Sequence, residues 1–136
     1  MDKAAFSLIG YRFSKAILDL DNLQSDTSFD IDFKPSGEYI QAEGIYHLKF
    51  TFQALKGNEK NPKILVVCTA SFKFRENIPY NEIPNFFYPN SIAILFPYIR
   101  AFVSTLTLQA NIKPILLPTL NLSSLQDTLK NQTVIR

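Results

Sequence analysis

The chain has 136 residues, 46% of them hydrophobic and 13% aromatic, with 14 Lys and Arg against 12 Asp and Glu. That length and mix exclude a disordered or low-complexity protein and lead us to expect one domain over residues 1–136. A net charge of +2 excludes nucleic-acid binding driven by bulk charge alone.

The single cysteine, Cys68, rules out an intrachain disulfide and favours a reducing compartment. The N-terminus, Met-Asp-Lys-Ala-Ala-Phe, lacks the basic start and apolar run of a signal peptide. A cytoplasmic location is expected.

Four segments alternate with the period of a half-buried strand. Over residues 7–18 the odd positions Ile9, Tyr11, Phe13 and Ile17 are expected to share a side. Phe29, Ile31 and Phe33 alternate with Asp30, Asp32 and Lys34. Over 45–54, Tyr46, Leu48, Phe50, Phe52 and Ala54 oppose His47, Lys49, Thr51 and Gln53. Over 64–75, Ile64, Val66, Cys68, Ala70, Phe72 and Phe74 oppose Thr69, Ser71, Lys73 and Arg75. The polar stretch 56–62 between these last two predicts a hairpin. Alternation this clean predicts a four-stranded antiparallel sheet, because parallel strands buried on both faces read as continuous apolar runs.

Helical signals follow, so the class is α+β. Pro79, Pro84 and Pro89 punctuate an aromatic linker that contains Tyr80, Phe86, Phe87 and Tyr88. Asn90 or Ser91 is placed to cap a long helix reaching about Ala110, to be packed on one face of the sheet. Its core stripe is Ile92, Leu95, Phe96, Ile99, Val103, Leu106 and Ala110. Pro97 costs the hydrogen bond to the Ala93 carbonyl and predicts a kink or a late start. Asn111 and Pro114 end the helix, and a Pro-rich apolar strip runs to Leu122. Ser123-Ser124-Leu125-Gln126 then resembles a capping box opening a short terminal helix, with Leu125 and Leu129 on one side.

The long helix carries a second stripe, Ile94, Tyr98, Ala101, Thr105 and Leu108. One sheet face covers one stripe, so the other calls for a second copy or an unfolded client. Residues 92–110 approach the length of a membrane span, but Pro97, Arg100 and several hydroxyl residues argue against one.

No catalytic constellation is present. His47 lies mid-strand on a polar face, and Cys68 alternates with Val66 and Ala70 as an inert buried thiol would. One His and one Cys do not make a typical zinc site. There is no Gly-rich phosphate loop and no nucleophile elbow. The chain is not expected to be an enzyme, and no metal or cofactor is expected.

The residues resemble those of a known family. Leu95-Phe96-Pro97-Tyr98-Ile99-Arg100 resembles the Leu-Phe-Pro-Tyr-x-Arg signature early in the long helix of SecB-type protein-export chaperones. Ile115-Leu116-Leu117-Pro118-Thr119-Leu120-Asn121-Leu122 is similar to that family's Pro-rich crossover. The order of elements also agrees. The resemblance implies a homotetramer with the long helices sandwiched between sheets, and ATP-independent capture of unfolded precursors for export through the SecA motor. Divergent members instead hold an aggregation-prone antitoxin.

This chain departs from that pattern in three ways. It is slightly basic where typical members are strongly acidic, and no Cys/His zinc tail follows up to Arg136, so SecA is left open as a partner. Three residues separate Asn90 from Ile94-Leu95-Phe96, which makes a helix start one turn earlier the alternative.

The expected function is an ATP-independent holdase for unfolded polypeptide. Phe86, Phe87, Tyr88, Ile112, Ile115, Leu117 and Leu120 are assigned to client contact, in a linker and strip expected to be exposed. Leu95, Phe96, Ile99, Phe102, Val103 and Leu106 are assigned to packing and assembly, and Arg100 to a carboxylate at an interface. Leu117→Asp with Phe87→Asp is expected to weaken client binding and leave the oligomer intact. The alternative is a β-sheet module binding single-stranded nucleic acid through Tyr46, Phe72 and Phe74 beside Lys49, Lys73 and Arg75.

Overall fold

A computed structural model describes residues 4–24, 26–57, 59–118 and 121–136. Among these, alternating side chains build β1 (Phe6–Leu18), β2 (Asp30–Ile40), β3 (Ile45–Leu55) and β4 (Ile64–Phe74). The helices are α1 (Phe87–Gln109) and α2 (Leu122–Asn131), and β5 (Thr133–Ile135) closes the chain. The sheet runs β1-β4-β3-β2-β5. It therefore has five strands rather than the expected four, and the fifth pairs parallel to β2. Three residues are too short for an alternation pattern to mark.

The β3–β4 hairpin forms as expected, with Ala54 opposite Ile64. Even-numbered residues of both strands face the core: Tyr46, Leu48, Phe50, Phe52, Val66, Cys68, Phe72 and Phe74 are all buried. β2 extends beyond its recognised alternation, through Pro35. A proline is tolerated there because β2 is an edge until its pairing with β5 begins at Gly37.

β1 corrects the sequence expectation. Its register against β4 shifts between Leu8 and Gly10 and again between Phe13 and Lys15. Each extra residue reverses the alternation. Phe6 and Leu8 oppose Phe74 and Phe72, Tyr11 and Phe13 oppose Ala70 and Cys68, and Ala16 and Leu18 oppose Val66 and Ile64. The core-side set is thus Phe6, Leu8, Tyr11, Phe13, Ala16 and Leu18, not Ile9, Tyr11, Phe13 and Ile17.

α1 begins a turn before the expected cap. Phe86 is its N-cap residue and makes no side-chain capping bond. Packing holds this end instead, since Phe87 meets Phe6, Tyr46 and Phe74 with ring centroids 4.8, 4.7 and 5.0 Å apart. Buried aromatic contacts of this kind outweigh the ~1 kcal/mol of a side-chain cap. The helix continues through Pro97, so the late start is excluded. By length and apolar composition α1 could cross a membrane, but its Ile92, Leu95, Ile99 and Val103 face is buried against the sheet core.

The chain turns at Asn111, in left-handed backbone with φ 61°. α2 packs against α1 and β2. It is capped by Asn121, whose side-chain oxygen accepts from the Ser124 backbone N–H at 3.4 Å. The expected cap at Ser123 is therefore displaced by two residues. Leu129 is buried and Leu125 half-buried.

Candidate functional site

The crossover folds back along α1. Thr107, buried, donates its hydroxyl to the Val103 carbonyl at 2.9 Å and accepts the Ile115 N–H at 3.0 Å. The Ile112 N–H reaches the Thr107 carbonyl at 3.3 Å. One hydroxyl thus ties helix and strip together, satisfying a buried backbone donor that would otherwise cost about 1–3 kcal/mol.

An extended strip anchored this way alternates. Ile115 and Leu117 point inward and are buried, while Leu116 is 77% exposed. The result is an apolar groove of about 600 Å³ between Pro97, Arg100, Ala101 and Ser104 of α1 and Leu116, Leu117 and Pro118 of the crossover. This is within the range of volumes that accept ligand side chains. Arg100 is the one charged lining residue, and its guanidinium carbon lies 5.1 Å from the Phe96 ring centroid. Among the described residues of this one chain no carboxylate pairs with Arg100.

The residues assigned to client contact are divided. Phe87 and Tyr88 stand inside α1 and the core, not in an exposed linker. The double substitution Leu117→Asp with Phe87→Asp would put two charges into the core, so it tests folding rather than a surface. Phe86 is 49% exposed but lies about 16 Å along the helix axis from Pro97, at ~1.5 Å per residue. Ile112 is half-buried near the turn. Leu120 lies outside the described residues. Leu116, left out of that assignment, is the most exposed large apolar side chain in the groove wall, and no alternation in the uniformly apolar 115–117 marks it.

The packing set is divided as well. Leu95, Phe96, Ile99 and Val103 are buried within the chain, and Phe102 and Leu106 are half-buried. Phe102 stacks on Phe13 at 4.0 Å and Tyr98 on Tyr11 at 4.3 Å, tying α1 to the edge strand β1. The second stripe is exposed throughout: Ile94, Tyr98, Ala101, Thr105 and Leu108.

The nucleic-acid alternative loses its aromatic platform. Tyr46, Phe72 and Phe74 are fully buried, so no base can stack on them. The outer sheet face holds a smaller depression of about 470 Å³ around Glu38, His47, Lys49 and Val134. There His47 Nδ1 and Ser71 Oγ are 2.8 Å apart. Cys68 is buried, and burial pushes its thiol up to about 11. No group of three or more metal-ligating side chains occurs among the described residues.

One solved structure shares this architecture. A structure of the Mycobacterium tuberculosis SecB-like chaperone Rv1957, in complex with a ChAD peptide from the HigA1 antitoxin Rv1956, shares the fold. The TM-score is 0.62 at 16% identity, over 86% of this chain and 92% of that one. A protein of unknown function from Streptococcus agalactiae aligns at a TM-score of 0.33 and 13% identity. An uncharacterized curated protein of Methanocaldococcus jannaschii is 37% identical over 78 residues, 57% of this chain and 50% of that protein. The chain thus spans about half the length of that relative. The family described as preprotein translocase subunit SecB matches residues 15–133. That match runs from β1 to the first residue of β5 and takes in the Leu95–Arg100 signature on α1, and the chain belongs to the SecB family.

Proposed function

We propose that this protein is an ATP-independent holdase of the cytoplasm that binds unfolded or precursor polypeptide along the α1–crossover groove. The observation that carries the reading is Leu116, a large apolar side chain left 77% exposed in the wall of an apolar groove. Burying such a side chain against a client contributes about 1.5–3 kcal/mol without demanding a particular sequence. Phe86, Ile112 and Leu120 are proposed to extend this surface. The protein assembles as a homo-oligomer, a tetramer or dimer, through the exposed stripe of α1. The clients are export precursors or a dedicated partner such as an antitoxin; the peptide bound to Rv1957 is of the second kind. SecA is a partner only in the first case. The holdase performs no chemical reaction and uses no cofactor.

The test is light scattering from a denaturant-diluted client, without ATP, at low and high salt. Suppression of aggregation near stoichiometric ratio at both salts is expected, with Leu116→Asp weakening it while the oligomer's mass stays unchanged. No suppression at any ratio would remove the general holdase reading, leave the fold intact and favour a dedicated single partner or a structural role.

A further inference from the structure

The groove carries a charge with which no carboxylate among the described residues pairs. From Ile83 to Gln126 the sequence holds two cations, Arg100 and Lys113, and no carboxylate; Glu82 and Asp127 bound the stretch. Elsewhere Glu38 is engaged with Arg136, Glu59 with Lys63 and Asp32 with Lys34. Arg100 is exposed and opens on the groove, with its guanidinium over the Phe96 ring. Contact with an aromatic face leaves the edge N–H groups free, and that fork matches a carboxylate.

We propose that the α1–crossover groove selects apolar polypeptide segments that carry an acidic residue beside the apolar anchor, with Arg100 as the group that reads it. The inference rests on the holdase reading and adds a client class to it. The apolar walls supply affinity, and Arg100 discriminates in two directions. An Asp or Glu next to the anchor gains a charge-assisted hydrogen bond, whereas a Lys or Arg in the same place meets a like charge. Phe96 holds the guanidinium in place, so less side-chain freedom is lost when the carboxylate arrives.

The experiment uses the full chain and three short fluorescent peptides with one apolar sequence, differing only in Asp, Ser or Lys on either side of the anchor. Binding is read by anisotropy at low salt and at about 0.5 M salt, where screening shortens to a few ångströms. Wild type is expected to rank Asp above Ser above Lys, with Asp favoured over Ser about fivefold at low salt, the limit for an exposed ion pair. Arg100→Gln should bring the Asp peptide down to the Ser peptide without moving the latter, and Arg100→Lys should restore part of the gap. Equal binding of all three peptides by wild type overturns the proposal while the holdase reading stands. A drop in oligomer mass in Arg100→Gln without loss of an Asp preference overturns it too, and assigns Arg100 to a second copy. Failure of the Ser peptide to bind at all removes the holdase reading itself.

Discussion

Gly37 shows how one absent side chain fixes the end of the chain. A Cβ there would overlap the Tyr46 hydroxyl and ring. Through that space Tyr46 donates to Thr133 Oγ at 2.6 Å, and Thr133 in turn donates to the Leu129 carbonyl at 2.7 Å. Gly37→Ala is expected to displace Tyr46, cost about 1–3 kcal/mol through overpacking, and expose the β5 amides to exchange. Denaturant melts and hydrogen exchange at 133–135 check this, and unchanged protection there would show that β5 docks independently of Tyr46. The buried hydroxyls also set an alkaline limit. Burial raises Tyr39, Tyr46 and Tyr88 above their ordinary 10.0, and the Cys68 thiol from 9.0 to about 11. The protonated forms are favoured by folding, so the unfolded chain loses these protons first. Stability is therefore complete below pH 9 and falls as pH rises, from 9 through 11 for Cys68 and from 10 upward for the tyrosines. Melts across that window should steepen downward, and Cys68→Ala should abolish the part that begins near 9. A flat profile to pH 11 would refute the burial of these groups.

At the scale of elements, the start of α1 has the clearest consequence. Phe87 joins Phe6, Tyr46, Phe72 and Phe74 in one aromatic cluster, so Phe87→Ala should cost about 3–5 kcal/mol. Phe86→Ala, one residue away and half exposed, should lie within about 0.5 kcal/mol of wild type. Equal costs would mean that the helix start is misplaced. The paired contrast also explains what the sequence could reveal. β3 and β4 were legible because every second residue is apolar and the polar 56–62 turn separates them. The start of α1 was not, because it depends on rings distant in sequence while Asn90 and Ser91 offer a local cap that the fold leaves unused. β1 misled for a related reason: a bulge changes which side chains face inward without changing their identity, and it appears only against β4. In the crossover, the apolar content of 115–117 was legible, but which residue faces out depends on the Thr107–Ile115 bond. The groove is thus a tertiary feature made from recognisable parts.

The whole molecule leaves an apolar surface where α1 and β1 meet. Ile94, Tyr98 and Leu108 of the helix are exposed, as is Tyr11 on the same side of the strand, and two ring stacks hold the elements in fixed relation. A monomer gains nothing from such a face, whereas a second copy would bury it symmetrically. By helix periodicity Pro97, Arg100 and Ser104 leave α1 on the flank away from Phe102, so the proposed assembly stripe and the proposed client groove adjoin at Ala101. Ile94→Asp with Leu108→Asp is therefore expected to lower the oligomeric mass in light scattering while circular dichroism retains the helix and sheet. Each buried carboxylate would add a desolvation cost of several kcal/mol to the interface, enough to dissociate it at micromolar concentration. If the mass is unchanged, assembly uses another face and this surface is available to clients instead. If the mass falls and the Ser-flanked peptide still binds, the groove is complete within one protomer.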